Sequence, residues 1–126
     1  MHIPESLKYT SDHEWVMIQN DRAKVGITDY AQDALGDVVF VDIPEVGKRV
    51  TVGETVTEVE STKSVSDIYA PLEGEIIEIN QDLDDSPELL NGDPYGEGWI
   101  FILELNDAAS IDNLLSAKEY RELVDG

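Results

Sequence analysis

Residues 50–69 read VTVGETVTEVESTKSVSDIY, and this stretch decides the fold. It repeats valine and threonine, whose β-branched side chains favour strands. Its polar residues concentrate around one lysine, Lys63, where the chain would have to turn. We therefore predict strands over residues 55–61 and 65–70, joined by a turn at 62–64, with Lys63 at the tip of a hairpin.

The first strand of this hairpin does not alternate regularly between apolar and polar residues. Val56 and Val59 are both apolar, yet two residues three apart lie on opposite faces of an ideal strand. A bulge would bring both side chains toward the core. We therefore expect a bulge or a change of facing near Glu58.

The lysine at the predicted tip has unusual surroundings. A lone lysine at a turn is usually only a solvated charge. Here its neighbours Ser61, Thr62, Ser64 and Ser66 are small and would leave the amine open to a modifying enzyme. An amide bond to Lys63 would remove the positive charge and leave a long, flexible arm. The stretch by itself therefore supports an accessible lysine on a stiff turn, and acylation at that lysine would make the protein a carrier and not a catalyst.

The rest of the chain contains further strand-like runs separated by turn residues. The most apolar run lies near the carboxyl end, and we expect it to be the central strand of a sheet. A hairpin is expected early in the chain, because two runs are separated only by the turn formers Asn20 and Asp21. These runs predict five more strands, at 14–19, 22–27, 37–43, 75–80 and 98–105.

Two helical segments are expected between the strands. Thr28 is a suitable N-cap for a helix over residues 29–35, and Gly36 follows where a helix usually ends. The long loop before the last strand contains Ser86 followed by proline and glutamate, which predicts one capped helical turn.

The carboxyl-terminal stretch predicts a helical segment at about 110–124. Ser116 and Glu119 form a capping-box pattern in the middle of it, so we expect two short helices there. The whole pattern predicts a mainly β fold, a small sandwich or barrel with short peripheral helices, including helices at the carboxyl end.

Composition restricts the classes of partner. The chain has 126 residues, 41% of them hydrophobic, which predicts one folded domain. It has 28 acidic and 8 basic side chains, a formal net charge of −20, so we expect no binding to nucleic acid or anionic membranes and favour a monomer. The charge would attract basic partners or form only a solvated acidic surface. No run has the length of a membrane helix or of a signal peptide, and we expect a cytoplasmic protein or a mature organellar form without its leader.

Catalytic and metal-binding patterns are weak. The chain contains no cysteine, which excludes thiolate chemistry from its own side chains. The chain has two histidines, His2 and His13, but no GxSxG element that would indicate a serine nucleophile. We expect His13 to be a surface or half-buried hydrogen-bonding residue. The acidic stretch from Asp82 to Asp93 resembles a calcium loop, but Pro87 stands where such a loop needs glycine. We therefore predict no catalytic residue and no metal site.

Several blocks along the chain, in order and at similar spacing, resemble the H proteins of the glycine cleavage system, a family of lipoyl carriers. The resemblance covers nearly the whole sequence and is far more specific than a lysine on a hairpin. The blocks are LKYTSDHEWV (7–16), VGITDYAQDALGDVVFVDIPEVG (25–47), VESTKSVSDIYAPLEGEI (59–76), DSPELLNGDPYGEGW (85–99) and LLSAKEY (114–120).

The resemblance implies a fold and a cofactor. The fold would be a lipoyl/biotinyl-type barrel-sandwich hybrid in which residues 1–126 form a single lipoyl-carrier domain. The lipoyl hairpin would span residues 55–70, with lipoic acid amide-linked to Lys63. The arm would bring its own two sulfurs, and a chain without cysteine has no thiol to compete with them by exchange.

The resemblance also implies a function in glycine catabolism and one-carbon metabolism. The protein would shuttle the aminomethyl group of glycine from glycine decarboxylase, a pyridoxal-phosphate enzyme, to aminomethyltransferase, which passes the one-carbon unit to tetrahydrofolate. Dihydrolipoyl dehydrogenase would reoxidise the arm, and a lipoyl-attaching enzyme would modify the lysine. The chain itself would be a carrier and not an enzyme.

The resemblance points to two acids beside the arm. A loaded arm needs protection from water, and its ammonium group would favour a carboxylate partner. Glu14 is the main candidate, and Asp67 is expected to line the same cleft. Residue 12 is often serine in the family and is Asp12 here, which puts the polar lining in doubt.

Other carriers share the hairpin. Biotin carriers usually have methionine beside the lysine, where this chain has Thr62 and Ser64. A lipoyl donor, or a carrier for another lipoate-dependent complex such as a 2-oxoacid dehydrogenase, remains the alternative. A true enzyme would instead show catalysis by the isolated protein, and an adaptor or calcium-binding module would function without acylation.

Overall fold

The computed structural model describes residues 2–106 and 108–125. Short strands form most of its regular structure, and the helices have at most nine residues. The strands are β1 (Lys8–Tyr9), β2 (Glu14–Gln19), β3 (Arg22–Ile27), β4 (Val38–Val41), β5 (Arg49–Val50), β6 (Thr55–Ser61), β7 (Val65–Tyr69), β8 (Gly74–Ile79) and β9 (Phe101–Leu105). The helices are α1 (Asp29–Leu35), α2 (Asp82–Asp85), α3 (Leu89–Gly92), a 3₁₀ helix (Ala108–Asn113) and α4 (Ala117–Asp125).

The strands form two antiparallel sheets. The larger has six strands in the order β1-β2-β3-β9-β8-β5, and the smaller has three in the order β4-β6-β7. In the described ranges these sheets stay open and do not close a barrel. The mainly β fold with peripheral helices, including one at the carboxyl end, is therefore confirmed. None of the helices that the structure describes is long and apolar enough to cross a membrane.

The main core lies where buried side chains from both sheets meet. Val25, Phe101 and Leu103 come from the larger sheet, while Val59 and Ile68 come from the smaller. Because each sheet is apolar on one face, packing the two together removes both apolar faces from water. The exposed tip of the β6–β7 hairpin therefore stands on a packed base.

A second apolar cluster joins the two ends of the chain. Tyr9 of β1 stacks on Tyr120 of α4, with ring centroids 4.7 Å apart and planes inclined by 11°. Trp15 and Ala117 belong to the same cluster. The predicted capping box starts α4, since Ser116 Oγ accepts from the Glu119 N–H at 3.1 Å and Glu119 Oε1 accepts from the Ser116 N–H at 3.0 Å.

The helix over 29–35 is confirmed with both of its signals. Thr28 Oγ1 accepts a hydrogen bond from the Ala31 N–H at 3.2 Å, which satisfies one free donor of the first turn. Gly36 follows with φ +80°, a conformation that glycine adopts without strain. Strand β9 is central, as predicted, but it begins at Phe101 and not at residue 98, because Gly98 and Trp99 donate to carbonyls of the preceding turn.

Two local predictions need correction. The register shift in β6 lies between Thr55 and Thr57 and not near Glu58, so Val56 is the extra residue opposite β7. The loop at 81–93 contains two helical turns, α2 and α3, where one was predicted. Ser86 does not cap α3 with its side chain; its carbonyl accepts from the Leu89 N–H instead.

Candidate functional site

The tip of the β6–β7 hairpin is held rigid by its own hydrogen bonds. Ser61 Oγ accepts from the N–H groups of Lys63 and Ser64, each at 3.1 Å. The Ser61 N–H donates to the Ser64 carbonyl at 2.8 Å, and the Thr62 N–H donates to the Asp37 carbonyl at 3.0 Å. The small polar residues that the sequence places around the lysine therefore form the turn itself. Lys63 is exposed at its apex.

The Lys63 side chain lies over the end of α1. A Cβ atom built on Gly36 would be 2.6 Å from Lys63 Cε and 3.5 Å from Nζ, so the absence of a side chain at residue 36 lets the lysine pass. The carboxyl end of a helix carries partial negative charge, which suits an amine. The two ion pairs in the described part of the chain, Lys48–Glu54 and Arg49–Glu75, do not involve Lys63. Its amine is thus exposed and accessible for an amide bond.

A cleft of about 270 Å³ opens beside the tip, between α1 and β7. We call it the first cleft. Tyr30 and Ala31 line it from α1, Ser64 lines it next to the lysine, and Ile27 and Ile68 contribute apolar surface. Polar groups at an apolar cleft suit a flexible chain with a charged end. The first cleft therefore lies where an arm attached to Lys63 could fold back.

Asp67 lines the first cleft from β7. Its side chain is exposed, and within the described residues no hydrogen bond to its carboxylate is found. In the strand register it lies opposite Glu58 of β6. It is an acid in water, free to meet a cation that enters the cleft.

Glu14 lies in a different environment. It lines a second cleft of about 240 Å³, which also borders Ala70 and Leu114, and only 1% of its surface is exposed. Its Oε1 accepts from the Thr10 hydroxyl at 3.0 Å, and its Oε2 accepts from the Tyr69 N–H at 2.9 Å. Burial raises the pKa of Glu14 to about 7, against the lowering effect of these two hydrogen bonds.

The structure therefore separates the two candidate acids. Asp67 lines the first cleft and Glu14 the second, while Asp12 lines both. Glu14 remains linked to the hairpin because it binds the backbone of Tyr69, two residues from Asp67. The expectation of one shared cleft is replaced by two neighbouring clefts.

His13 is a residue of the site that sequence reasoning did not assign to it. It lines the first cleft from a left-handed backbone conformation, φ +69°, and its ring centroid lies 4.6 Å from that of Tyr30. Its Nδ1 is 2.8 Å from the Tyr120 hydroxyl, which is also 2.8 Å from Thr28 Oγ1. Burial lowers the pKa of His13. The expectation of a half-buried hydrogen-bonding histidine is confirmed, but no sequence signal identified Tyr120 as its partner.

The site carries no arrangement typical of metal binding. In residues 2–106 and 108–125, no group of three or more histidine, aspartate or glutamate side chains is placed to hold an ion.

Comparison with known proteins gives a consistent result. The family model for the glycine cleavage H-protein matches residues 7–126. The glycine cleavage system H protein of Coprothermobacter proteolyticus is 50% identical over 125 residues, covering 98% of each chain. That of Thermus thermophilus is 56% identical, covering 99% of this chain and 98% of that protein. A crystal structure of a glycine cleavage system H protein from Mycobacterium marinum superposes with a TM-score of 0.90 at 43% identity, covering 98% of this chain and all of the other.

Proposed function

The chain belongs to the glycine cleavage H-protein family, and from this premise we propose that it is the lipoylated aminomethyl carrier of a glycine cleavage system. Members of this family are lipoyl carriers that work within a multienzyme system and are not themselves enzymes. We assign residues 1–126 to a single carrier domain, because strand β2 contributes to both apolar clusters: Val16 packs in the main core with the hairpin, and Trp15 packs in the second cluster with α4.

One observation carries the proposal: the Lys63 amine is exposed on a rigid turn that opens onto the first cleft. Lipoic acid would be held there by an amide between its carboxyl group and Nζ. When bound, it supplies a disulfide that can be reduced and a sulfur that can carry a one-carbon unit. The rigid turn fixes where the arm begins, and the cleft offers it a place to rest.

The residues of the first cleft would protect and orient the free end of the arm. Tyr30 and the apolar side chains of Ile27 and Ile68 exclude water from one side. Asp67 is placed to pair with a positively charged group there. Glu14 lies in the second cleft, where its carboxylate accepts from the Thr10 hydroxyl and from the Tyr69 N–H of β7. It would contact the arm only after giving up one of these hydrogen bonds.

The partners follow from the family. Glycine decarboxylase, with its pyridoxal phosphate, would load the arm; aminomethyltransferase would unload it; dihydrolipoyl dehydrogenase would reoxidise it; and a lipoyl-attaching enzyme would modify Lys63. The net charge of −20 would speed encounters with basic enzyme surfaces and favours a monomer. The bacterial relatives favour a cytoplasmic location, with a mature organellar form as the other setting.

Intact mass spectrometry of protein produced with lipoate tests the attachment. The wild-type chain should gain the mass of one lipoyl group, and Lys63→Arg should gain none. Lys118→Arg, at an exposed lysine of α4, is the matched control and should be modified like the wild type. A lipoyl mass retained by Lys63→Arg, or absent from the wild type, would contradict the proposal.

The role of the acids is tested by the rate at which the loaded protein loses its cargo to water. Asp67→Asn should speed this loss several-fold, because the ammonium group of the cargo loses one of the two carboxylates that line the first cleft, with Asp12 remaining. Glu58→Gln is the control, since Glu58 is exposed opposite Asp67 but lies outside the lining of the first cleft. Glu14→Gln tests the second acid in the same assay. An unchanged rate would remove the substituted acid from the proposed role.

A further inference from the structure

The outer face of the three-stranded sheet carries a row of three exposed residues directly below the lysine tip, in which two apolar side chains flank one acid. Phe40 of β4 lies opposite Glu60 of β6, and Glu60 lies opposite Val65 of β7. Side chains that are directly opposite in antiparallel strands share a face. The row therefore crosses the whole sheet, and Val65 is only two residues beyond Lys63.

A bulge in β4 exposes Phe40. Val38 pairs with Ser61 and Phe40 pairs with Glu60, so Val39 is an extra residue without an opposite partner. Regular alternation after the buried Val38 would turn Phe40 toward the core. With the bulge, Val39 and Phe40 both point outward and are 56% and 47% exposed, while Val41 returns to the core. Exposing such side chains forgoes the stability of burial, so the bulge has a cost that the fold alone does not explain.

Acidic side chains lie both within this row and next to it. Glu58, Glu60 and Asp67 are exposed on the same face, and neither ion pair in the described part of the chain includes them. Single exposed apolar residues are ordinary on protein surfaces. Among the described residues, three of the seven most exposed large hydrophobic side chains, Val39, Phe40 and Val65, lie on this one small sheet, at or next to the row below the lysine tip. Exposed apolar side chains interleaved with acids complement a surface that combines apolar recesses with lysine or arginine.

We propose that this face, formed by Val39, Phe40, Val65 and the acids around them, is the docking surface for the enzyme that acylates Lys63. This inference rests on the proposed function and names the partner of one surface. Enzymes that act on the completed arm meet its far end and need not touch the tip. The acylating enzyme must bring its active site to Nζ itself and move the lysine side chain away from α1. It must therefore contact protein surface that lies no farther from the turn than the length of a lysine side chain. Val65, which also lines the first cleft, and Phe40, across the small sheet from it, are exposed apolar side chains beside that turn.

The chain provides controls of matched exposure for the test. Phe40 and Leu123 are each 47% exposed, and Leu123 lies on α4. Val65 is 57% exposed and Val46 is 58% exposed, and Val46 lies beyond the end of β4 that is remote from the tip. Phe40→Ser and Val65→Ser are therefore compared with Leu123→Ser and Val46→Ser. Phe40 is the decisive residue, because it is not in the lining of the first cleft.

The experiment measures kcat/KM for acylation of the full chain by a purified lipoate-attaching ligase with lipoate and ATP, followed by intact mass. We expect a loss of about tenfold for Phe40→Ser, mainly through KM, and changes within about twofold for the controls. Glu60→Gln should lower the rate at low salt by about twofold and weaken its salt dependence. Thermal unfolding midpoints close to the wild type would show that the variants are folded.

Three outcomes would overturn the inference. Phe40→Ser and Val65→Ser could be acylated as fast as their controls. Acylation could be normal while reoxidation of the reduced arm by dihydrolipoyl dehydrogenase, or loading of the oxidised arm by glycine decarboxylase, falls, which would assign the face to one of those enzymes. A wild-type chain that is never acylated at Lys63 would overturn the proposed function as well, whereas the first two outcomes leave that function intact.

Discussion

The two clefts share Asp12, but each has a second acid, and these two acids differ in burial and in hydrogen bonding. In the first cleft Asp67 is exposed and makes no side-chain hydrogen bond within the described residues. In the second, Glu14 is 1% exposed and accepts from a hydroxyl and a backbone N–H. Two carboxylates that are close in the fold therefore differ strongly in burial and in hydrogen bonding. One is free to meet a ligand, and the other is part of the structure.

This difference separates two kinds of contribution to a binding site. An exposed acid keeps its water and contributes little to stability, so the fold can leave it available. A buried acid must be fully hydrogen-bonded, and removing it leaves its partners without acceptors. The first cleft should accordingly tolerate changes in its acid that the second cleft does not.

The largest effect is expected from truncating Glu14 to alanine, with the same truncation of Asp67 as the comparison. Glu14→Ala leaves the Tyr69 N–H and the Thr10 hydroxyl without their acceptor and opens a cavity, so the free energy of unfolding should fall by about 4 kcal/mol. Asp67→Ala should change it by less than about 0.5 kcal/mol. Urea unfolding followed by the fluorescence of the buried Trp15 measures both. Equal effects of the two substitutions would contradict the comparison of the clefts.

The pH dependence of stability sharpens the same contrast. Burial raises the pKa of Glu14 from 4.5 to about 7, so the native state binds its proton more tightly than the unfolded state. The stabilisation from Glu14 is present in full below pH 4.5 and is lost as pH rises through about 7. Relative to Glu14→Gln, which stays neutral, the wild type should lose up to about 3 kcal/mol across this window. Urea titrations of both proteins at pH 5 and pH 8 measure the difference, and a difference that grows in favour of the wild type would have the wrong sign.

Much of the first cleft was predictable because its parts are local. The hairpin, the lysine turn and the helix over 29–35 follow from β-branched residues, small polar residues, and caps at Thr28 and Gly36, each acting within a few residues. The apolar content of the last strand also predicted its central place. The positions of the bulges were not predictable, because a bulge at Val39 or Val56 depends on which strand lies opposite.

The second cleft was not predictable because its contacts join distant parts of the chain. Glu14 binds a backbone group 55 residues away, and Tyr9 and Leu115, which also line the second cleft, pair through their backbones from opposite ends of the chain. The left-handed conformation of His13 turns the chain between the two clefts, and no residue type announces it there. Family resemblance named both acids but could not divide them between two clefts.

Gly36→Ala tests the junction of α1 and the lysine tip. The clash of a new methyl group with Lys63 Cε is relieved by moving a flexible side chain, so the main cost comes from the backbone. Gly36 has φ +80° and ψ −158°, a region reserved for glycine, and alanine there should lower the free energy of unfolding by about 2 kcal/mol. Urea unfolding measures it, with Ala34→Gly on the same helix as a comparison that lacks the φ constraint. An unchanged stability would show that the end of α1 relaxes freely.

The smallest effect is expected from Tyr120→Phe, which tests whether α4 holds His13 and Thr28 in place. The phenyl ring keeps its stacking on Tyr9, while His13 Nδ1 and Thr28 Oγ1 lose the hydroxyl they share. The free energy of unfolding should fall by about 1 kcal/mol, since Thr28 keeps its bond to the Ala31 N–H.

A stability change of that size could arise from any lost hydrogen bond, so a second measurement is needed at His13. The imidazole NMR signals of His13 should shift in Tyr120→Phe and stay in place in Tyr95→Phe, which removes a hydroxyl that binds His2 and Asp29 instead. If the His13 signals stay in place when Tyr120 loses its hydroxyl, two other contacts position His13. The Thr28 N–H donates to the His13 backbone carbonyl, and the Tyr30 ring packs beside the imidazole. In that case the β2–β3 hairpin and α1 would fix the position of His13, and α4 would only pack over it.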